Sequence, residues 1–426
     1  MQVSGNGDRV KILFVSNLYP PNAIGGYERL CFDVAGELAS RGHEITVLTS
    51  SYGDKVEDYM GQDISRMLKL LASEGNIYEP LACTSEERSA INTSNIDALN
   101  RLVSTVNPDI VFVWNMYFLD GSFLDAVRRL NKKTAYLLTD NWMISFLNAS
   151  FIRRYFTERV FRNITLKKKI YLYIKKLVSG LELSRFPANS IAIFPSHFME
   201  KLYLEAGVTF ARSKVIYHGV RIKSEENRRF TDRRETVAGG EIRLLFAGRV
   251  VDVKGLHTVI EALPDIIGNA GQEFRVCLTV VGDVQDQEYW GRIKGLVKQH
   301  SLEEHVAFNA SVPENRLFEL FQEYDIYIFP SLYEPFSLTL IHALGSGIPT
   351  VASDAGGNPE IVRDMVTGLL FEKGDPHALA VAVQKLVQSN QLRERISVAE
   401  RELASQYTFG RMVTKLEDVL KGSEWG

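Results

Sequence analysis

Short apolar runs alternate with amphipathic segments in the first part of the chain. The run Lys11–Ser16 is rich in strand-forming residues, and it is followed at residues 19–22 by the turn-forming sequence YPPN. From Tyr27 to Ser40 apolar residues recur at a helical spacing, and a second apolar run covers Glu44–Thr49. This order predicts a strand, a helix and a parallel second strand, which together form a βαβ unit.

The same alternation continues to the end of the chain. Further strands are predicted at Asp109–Trp114, Thr134–Thr139, Ile191–Pro195, Lys214–Tyr217, Ile242–Ala247, Arg275–Val281, Val306–Ala310, Ile326–Phe329 and Pro349–Ala352. Further helices are predicted at Gly121–Leu130, Leu256–Leu263 and Phe409–Lys421. Strands that alternate with helices predict an α/β fold with parallel, helix-covered sheets, whose ligands bind at the carboxyl ends of the strands.

The chain length predicts two domains, because 426 residues exceed what one hydrophobic core usually organises. Residues 221–240 are dominated by charged and polar side chains and end in two glycines, which is typical of a linker. We therefore predict a first domain at residues 1–225 and a second at residues 226–407. The C-terminal helix within residues 408–426 is expected to pack back on the first domain.

Charge and cysteine content exclude several classes of protein. A formal net charge of -3 provides no global attraction to nucleic acid, so no nucleic-acid partner is expected. Cys31, Cys83 and Cys277 are far apart and lack the spacing of metal ligands, so we expect no disulfide and no metal. Residues 1–10 do not resemble a secretory signal, and no apolar stretch approaches about 20 residues. A cytoplasmic location is expected.

One segment, residues 151–186, is both basic and aromatic. It contains ten Lys and Arg residues but only two acidic ones, and its apolar residues are spaced for one side of a helix. Two interpretations stay open. The segment is either a solvated helical insertion or a docking face for an anionic acceptor or an anionic membrane, which would place the protein peripherally at the inner membrane face.

Two cations flank the connection between the predicted strand Ile242–Ala247 and the following helix. Gly248-Arg249 ends the strand, and Lys254-Gly255 begins the helix. Helix N-termini already favour anions, and a guanidinium and an ammonium group added there suit a diphosphate. The alternative is that both side chains are merely solvated.

A carboxylate follows another predicted strand in the second half of the chain. Glu334 lies after Ile326–Phe329 and before a helix, where it would either cap that helix or accept hydrogen bonds from sugar hydroxyls. In the second case the backbone N–H groups of residues 336–338 would point at a phosphate or sugar. Near the start of the chain, Gly25 and Gly26 would allow a similarly close approach of the backbone to a ligand.

These features occur in a specific order, together with two further short motifs. The motifs are Gly25-Gly26-Tyr27-Glu28-Arg29, Gly248-Arg249 with Lys254-Gly255, Val281-Gly282-Asp283, Pro330-Ser331-Leu332-Tyr333-Glu334-Pro335-Phe336 and Gly356-Gly357-Asn358-Pro359-Glu360. In this order they resemble the retaining glycosyltransferases of family 4, and the resemblance covers essentially the whole chain. It implies the GT-B architecture, in which two Rossmann-like, doubly wound domains face each other across a cleft. The first would bind the acceptor and the second a nucleotide-sugar donor.

The resemblance also implies roles for single residues. Arg249 and Lys254 would neutralise the donor's diphosphate, Glu334 would hold the transferred sugar, and Val312 would lie by the base. The donor-binding residues would be Gly25, Gly26, Gly248, Gly282, Val312, Phe336, Ser337, Leu338 and His342. No metal and no cofactor is implied, because the nucleotide-diphosphate sugar is a co-substrate.

Three positions depart from the family pattern. His342 stands where a Glu that contacts the ribose is common, and Ser337 stands where a Gly is usual, so that a side chain would enter the donor pocket. Thr139, followed by Asp140, stands where a His often lies against the donor sugar. Thr139 and Asp140 are therefore the candidate catalytic residues of the first domain. These departures imply either an unusual donor or weakened catalysis.

The predicted function is sugar transfer, with retention, from a nucleotide-diphosphate donor to an acceptor hydroxyl on a glycan, a lipid-linked molecule or a natural product. The main alternative is a catalytically impaired protein of the same fold that binds nucleotide sugars. A nicotinamide-dependent dehydrogenase is disfavoured, because no G-x-G-x-x-G motif follows the first strand. The donor base, the donor sugar and the acceptor are left open.

Overall fold

The structure is a computed structural model that describes residues 9–53, 62–161, 184–221, 240–271, 273–422 and 425. The predicted linker and the greater part of the basic segment 151–186 lie outside the described residues, so both interpretations of that segment stay predictions. Clustering of contacts divides the chain into two compact units. The first comprises Met1–Thr157, Asn163–Ile216 and Met412–Gly426, and the second comprises Glu158–Arg162 and Tyr217–Arg411.

The first unit is built around a seven-stranded parallel sheet with the order β3-β2-β1-β4-β5-β7-β9. Its strands are β1 (Lys11–Ser16), β2 (Glu44–Ser50), β3 (Asp63–Leu68), β4 (Ile110–Asn115), β5 (Lys133–Leu137), β7 (Ser190–Phe194) and β9 (Ser213–Val215), while β6 (Ser184–Arg185) and β8 (Val208–Thr209) form a separate pair. Its helices are α1 (Gly26–Ser40), α2 (Ser85–Val106), α3 (Gly121–Arg128), α4 (Trp142–Leu147), α5 (Ala149–Tyr155) and α6 (His197–Glu205), and a π-helical turn at Phe156–Val160 follows α5.

The second unit contains a six-stranded parallel sheet with the order β12-β11-β10-β13-β14-β15. Its strands are β10 (Gly240–Ala247), β11 (Phe274–Val281), β12 (Val306–Asn309), β13 (Ile326–Phe329), β14 (Thr350–Ser353) and β15 (Leu369–Phe371). Its helices are α7 (Leu256–Ala270), α8 (Gln287–Gln299), α9 (Leu317–Gln322), α10 (Leu338–Ser346), α11 (Asn358–Ile361), α12 (Pro376–Val387) and α13 (Asn390–Ala404). The last helix, α14 (Phe409–Lys421), passes from the second unit into the first at Met412.

The central strands of each sheet are buried on both faces, as expected of a doubly wound fold. In the second unit one hydrophobic cluster joins the sheet to α7, α8 and α12, and another joins it to α10 and α13. Central strands such as β4 are buried along their whole length, which explains why they read as continuous apolar runs rather than as alternating ones. The predicted α/β class with two Rossmann-like domains is confirmed.

The predicted strands and helices all occur, with their ends shifted by a few residues. Strand β5 ends at Leu137 rather than at Thr139, and α7 continues past the predicted Leu263 to Ala270. Several elements were not predicted, among them β3 at the edge of the first sheet, β15, the 22-residue helix α2 and the helices α6, α8, α12 and α13. Only three residues of α2 are buried, so it has almost no apolar periodicity to detect.

The C-terminal helix α14 contacts the first unit through a cluster of charges. Glu417 accepts hydrogen bonds from Arg41, at 2.8 Å, and also from Lys421 on its own helix. The Nε2 atom of His43 lies 3.2 Å from the second oxygen of the same carboxylate. Among the helices of the described residues, none is long and apolar enough to cross a membrane.

Candidate functional site

The strand order of the second unit reverses between β10 and β13. From β10 the chain proceeds to β11 and β12 on one side, whereas from β13 it proceeds to β14 and β15 on the other side. Loops that leave two neighbouring parallel strands in opposite directions open a crevice at the carboxyl edge of the sheet, and ligands of such folds bind there. Arg249 and Lys254 follow β10, and Glu334 follows β13.

Lys254 and Glu334 form an ion pair across this switch point. The Nζ atom of Lys254 donates to Oε2 of Glu334 at 2.7 Å, and the two side chains are 19% and 7% exposed. The ammonium also lies 5.6 Å from the ring centre of Phe329, the last residue of β13. A charge-assisted bond of this kind is strong where water is largely excluded. The structure therefore unites two of the three predicted charged residues.

Backbone contacts fix the loop that presents Lys254. Gly255 adopts the left-handed conformation, with a φ of 71°, and a Cβ there would lie 2.1 Å from the carbonyl oxygen of Pro330. The backbone N–H of Leu332 donates to the carbonyl of Val253 at 2.8 Å. The loops after β10 and β13 are therefore held together, and only glycine fits at position 255.

Glu334 is held by the glycine pair that follows β14. The N–H of Gly357 donates to the backbone carbonyl of Glu334 at 2.8 Å. Gly356 has a φ of 59°, and a Cβ there would lie 2.0 Å from the same carbonyl oxygen. The motif at residues 330–336 and the motif at residues 356–360 are thus joined by backbone contacts, and these contacts fix the position of Glu334.

Helix α10 is capped by Ser337 and not by Glu334. The Ser337 hydroxyl accepts a hydrogen bond from the N–H of Leu340 at 3.1 Å. Its hydroxyl therefore caps the helix, and the expectation that this side chain enters the donor pocket stays a prediction. Phe336 is buried and stacks on Tyr217 at 5.3 Å, and Leu338 is the first, half-buried residue of α10.

Arg249 does not join the ion pair in this structure. Its exposed guanidinium donates to Oε1 of Gln285 at 3.2 Å, a partner that the sequence patterns did not single out. The glycines beside it are in tight contact, because a Cβ on Gly282 would lie 1.8 Å from the carbonyl oxygen of Gly248. Glycine at position 282 thus lets the backbones after β10 and β11 approach closely at the carboxyl edge.

Two further pairs lie beyond β12. The Ser311 hydroxyl donates to Asp283 at 2.7 Å, and the neighbouring Val312 is half-buried against the hydrophobic core. His342 lies 3.0 Å from Oε1 of Glu314, on the turn that precedes α9. Sequence reasoning missed Glu314, because no local pattern connects it with a helix that begins more than twenty residues later.

The strand order of the first unit reverses between β1 and β4. Gly25 and Gly26 are exposed in the connection from β1 to α1. The N–H of Gly25 donates to Oε2 of Glu28 at 3.0 Å, so this donor is already used to cap the helix. Gly25 and Gly26 therefore lie at the carboxyl edge of this sheet, beside its switch point.

Of the two candidate catalytic residues that follow β5, Thr139 and Asp140, only Asp140 has an ionisable side chain. Its carboxylate accepts from the N–H of Trp142 at 2.8 Å, and its carbonyl accepts from the hydroxyl of Tyr203 at 2.9 Å. Burial raises the pKa of Asp140 to about 7; the Trp142 N–H opposes this rise, and the nearby carboxylate of Glu28 adds to it. The adjacent Thr139 is fully buried.

Within the described ranges, no cluster of three or more His, Cys, Asp or Glu side chains is placed to hold a metal ion. The site residues supply an ammonium, a guanidinium, backbone hydrogen-bond donors and, at Asp140, a carboxyl group whose pKa burial raises to about 7.

Two doubly wound units in one chain, with paired charges at a switch point of the second, define the GT-B class of glycosyltransferases. Residues 227–403 match the family model described as glycosyl transferases group 1, and residues 24–224 match the model described as glycosyltransferase family 4. The two models together span nearly the whole chain. The chain belongs to family 4 and is a glycosyltransferase.

Proteins similar to this chain match it over nearly its whole length and nearly the whole of their own. An uncharacterised glycosyltransferase of Methanocaldococcus jannaschii is 24% identical over 97% of this chain and 98% of its own. Sucrose-phosphate synthase of Thermosynechococcus elongatus has a similar structure, with a TM-score of 0.71 at 20% identity over 96% and 98% of the two chains. The Anabaena protein HepE, solved with UDP and glucose, has a TM-score of 0.64 at 19% identity over 97% and 99%.

Proposed function

We propose that this protein transfers a sugar, with retention, from a nucleotide-diphosphate donor to the hydroxyl of an acceptor. The observation that carries the proposal is the ion pair between Lys254 and Glu334 at the switch point of the second unit. Its two charges match the two parts of such a donor, because the ammonium suits the diphosphate and the carboxylate suits the hydroxyls of the sugar.

Cleavage of the bond between the sugar carbon and the phosphate oxygen leaves negative charge on the departing diphosphate. In the proposed mechanism Lys254 and Arg249 stabilise this charge, and Glu334 accepts hydrogen bonds from sugar hydroxyls. The acceptor oxygen attacks the sugar carbon on the face that the diphosphate leaves. The proton of the acceptor hydroxyl passes to the departing phosphate oxygen, so that no separate base is needed.

The residues around this pair would complete the donor site. Gly248 and Gly282 allow the diphosphate to approach the backbone, and Val312 would lie beside the base. Glu314, next to His342, would supply the ribose-binding carboxylate that position 342 lacks. The UDP bound to the similar Anabaena protein supports a nucleotide sugar as the donor.

The first unit would bind the acceptor at the carboxyl edge of its sheet. Gly25 and Gly26 border this edge at the switch point, and Thr139 and Asp140 follow β5. We assign to Asp140 the role of a neutral carboxyl that donates a hydrogen bond to a reacting hydroxyl. The glycan, lipid-linked and natural-product acceptors named from the sequence all carry such a hydroxyl.

The test replaces both charges of the pair together, as Lys254→Gln with Glu334→Gln. Replacing Lys254 alone would leave a buried carboxylate without its partner, and such a change destabilises folded proteins by about 3–5 kcal/mol. The double variant keeps two polar groups of similar size. We expect its kcat to fall at least 10²–10³-fold, or about 2.7–4 kcal/mol, in assays with UDP, GDP, ADP and TDP sugars.

A matched control exists at the opposite edge of the same two strands. Arg243 pairs with Asp325 through bonds of 3.2 and 3.3 Å, next to the amino ends of β10 and β13. The variant Arg243→Gln with Asp325→Asn removes the same charges and should transfer sugar as the unmodified protein does. Normal turnover by the variant at positions 254 and 334 would refute the proposal.

The alternative is a protein that binds nucleotide sugars without turnover, which His342 and Thr139 suggested. It predicts donor binding in a thermal-shift assay, with neither transfer nor donor hydrolysis on any acceptor tried. The ion pair between Lys254 and Glu334 argues against it, because a carboxylate and an ammonium aimed at one crevice serve transfer as well as binding.

A further inference from the structure

A second candidate binding site lies in the first unit, away from the residues assigned to sugar transfer. It is a cavity of about 530 Å³, here called the arginine pocket, and its lining residues are Asp125, Arg128, Arg129, Arg185, Phe186 and Pro187. We propose that the arginine pocket binds a phosphate-bearing anion. The proposal goes beyond the proposed function and does not depend on it.

The pocket carries three guanidinium groups against one carboxylate. Arg128 is half-buried, and it donates to the Arg185 carbonyl at 2.9 Å and contacts Asp125 at 3.3 Å. The side chains of Arg129 and Arg185 are exposed, and neither has an ion-pair or hydrogen-bond partner among the described residues. Like charges placed together repel, so an anion bound between them would relieve this repulsion.

The negative end of the α3 dipole accounts for only part of this cluster. Arg128 and Arg129 lie at the C-terminal end of α3, where cations are favoured on any helix. Arg185 comes from a different segment, the short strand β6, and is 57 residues away from Arg128 along the chain. The dipole of α3 therefore explains the positions of Arg128 and Arg129 but not the position of Arg185.

Aromatic rings pack against Phe186, one of the residues that line the pocket. The buried ring of Phe186 stacks on Phe210 with centres 4.1 Å apart and meets Tyr136 edge-on at 5.2 Å. The guanidinium of Arg128 lies over the same ring, 4.7 Å from its centre. A guanidinium held in this way is already oriented before a ligand arrives, which lowers the entropic cost of binding. Guanidinium groups bind phosphate oxygens in a two-point geometry.

The position of the pocket separates it from the sugar-transfer site. Its residues precede β5 and β7, whereas Gly25, Gly26, Thr139 and Asp140 follow the strands of the same sheet. The pocket thus lies at the amino edge and the proposed acceptor site at the carboxyl edge. A phosphate bound there belongs either to the headgroup of a lipid or to a soluble molecule.

The test compares the full-length protein with the variant Arg129→Gln and Arg185→Gln. Both side chains are exposed, so the variant should fold and transfer sugar normally, as circular dichroism and the transfer assay would show. The control variant, Lys298→Gln and Lys415→Gln, removes two exposed positive charges elsewhere. The probes are inorganic phosphate by calorimetry, and vesicles of phosphatidylcholine with and without phosphatidylglycerol by co-sedimentation.

We expect the unmodified protein and the control to bind at least one probe, and the arginine variant to bind it at least about tenfold more weakly. Binding confined to vesicles with phosphatidylglycerol identifies the source as a lipid headgroup, and binding of inorganic phosphate identifies a soluble ligand. Equal affinities for all three proteins, or no binding of any probe, would overturn the proposal. Neither result depends on sugar transfer, so a failure here is distinct from a failure of the proposed function.

Discussion

At the scale of single residues, the two carboxyl groups of the candidate site differ in the partners that surround them. Glu334 is buried, so its carboxylate needs Lys254, and a donor must compete with that bond to reach either group. Asp140 contrasts with this pair, since its carboxylate has a backbone N–H and a second carboxylate as neighbours. Burial raises the pKa of this Asp140 carboxyl to about 7.

The titration of Asp140 leads to a prediction about pH. With a pKa of about 7, its carboxyl is protonated below neutrality and donates a hydrogen bond, and it loses this proton as pH rises through about 7. We expect kcat/KM of the unmodified protein to fall above that pH. Asp140→Asn keeps a donor at every pH and should lose this decline, as rate measurements from roughly pH 5 to 9 would show.

An Asp140→Asn variant with an unchanged pH profile would show that another group titrates. Asp140→Ala serves as the control for the hydrogen bond itself, because it removes the donor and should be slow at every pH. Circular dichroism of both variants would show whether a change in the bond between Asp140 and the N–H of Trp142 has altered the fold, apart from any effect on the rate.

At the scale of elements, helix α14 is attached to the first unit by a carboxylate. Burial disfavours the charge on Glu417, but hydrogen bonds from Lys421, Arg41 and His43 outweigh this effect and lower its pKa to about 2. A carboxyl whose pKa falls on folding stabilises the folded state fully above its unfolded value of 4.5. That stabilisation is lost as pH falls from 4.5 toward about 2.

Replacing Glu417 by Gln should therefore destabilise the protein at pH 7 by roughly 1–3 kcal/mol. The difference from the unmodified protein should shrink as the pH is lowered toward 3. Urea unfolding at both pH values measures it. Asp418→Asn, an exposed change on the same helix, is the control, and an equal effect of the two variants would contradict the role given to Glu417.

Elements were predictable where burial imposed a pattern. The central strands of both sheets are buried on both faces, so their sequences are short apolar runs that stand out from polar surroundings. Helix α2 begins with the sequence Thr84-Ser85-Glu86-Glu87, whose capping box the structure confirms, and this local signal could have located it. The rest of α2 is mostly exposed to solvent, so its sequence has no apolar pattern from which a helix could be predicted.

At the scale of the whole molecule, the two units divide the proposed reaction between donor and acceptor. Both units have the same plan, but only the second combines a switch point with a paired ammonium and carboxylate among the described residues. We therefore expect a bound donor to stabilise the second unit. Four of the five sequence motifs lie in connections after β10, β11, β13 and β14, at the carboxyl edge of the second sheet.

A bound nucleotide sugar should raise the melting temperature of the protein. At a concentration about 100 times its Kd, a ligand adds about 2.7 kcal/mol, or roughly 5–10 °C for a domain of about 200 residues. Hydrogen exchange should slow in residues 248–255 and 330–337. The variant Lys254→Gln with Glu334→Gln should show neither the rise in melting temperature nor the slower exchange. Slower exchange confined to the first unit would contradict the assignment of the donor to the second unit.

The amino-acid sequence by itself determined the two parallel sheets and the types of residue from which the proposed donor site is built. Apolar runs and glycine-bounded turns are local properties, so they can be read from neighbouring residues. Only the tertiary structure decided which polar side chains meet: Lys254 with Glu334, Arg249 with Gln285, and Glu417 with Arg41. The physical reason is that such contacts join residues 80, 36 and 376 positions apart, and their meeting depends on strand order and packing rather than on local pattern.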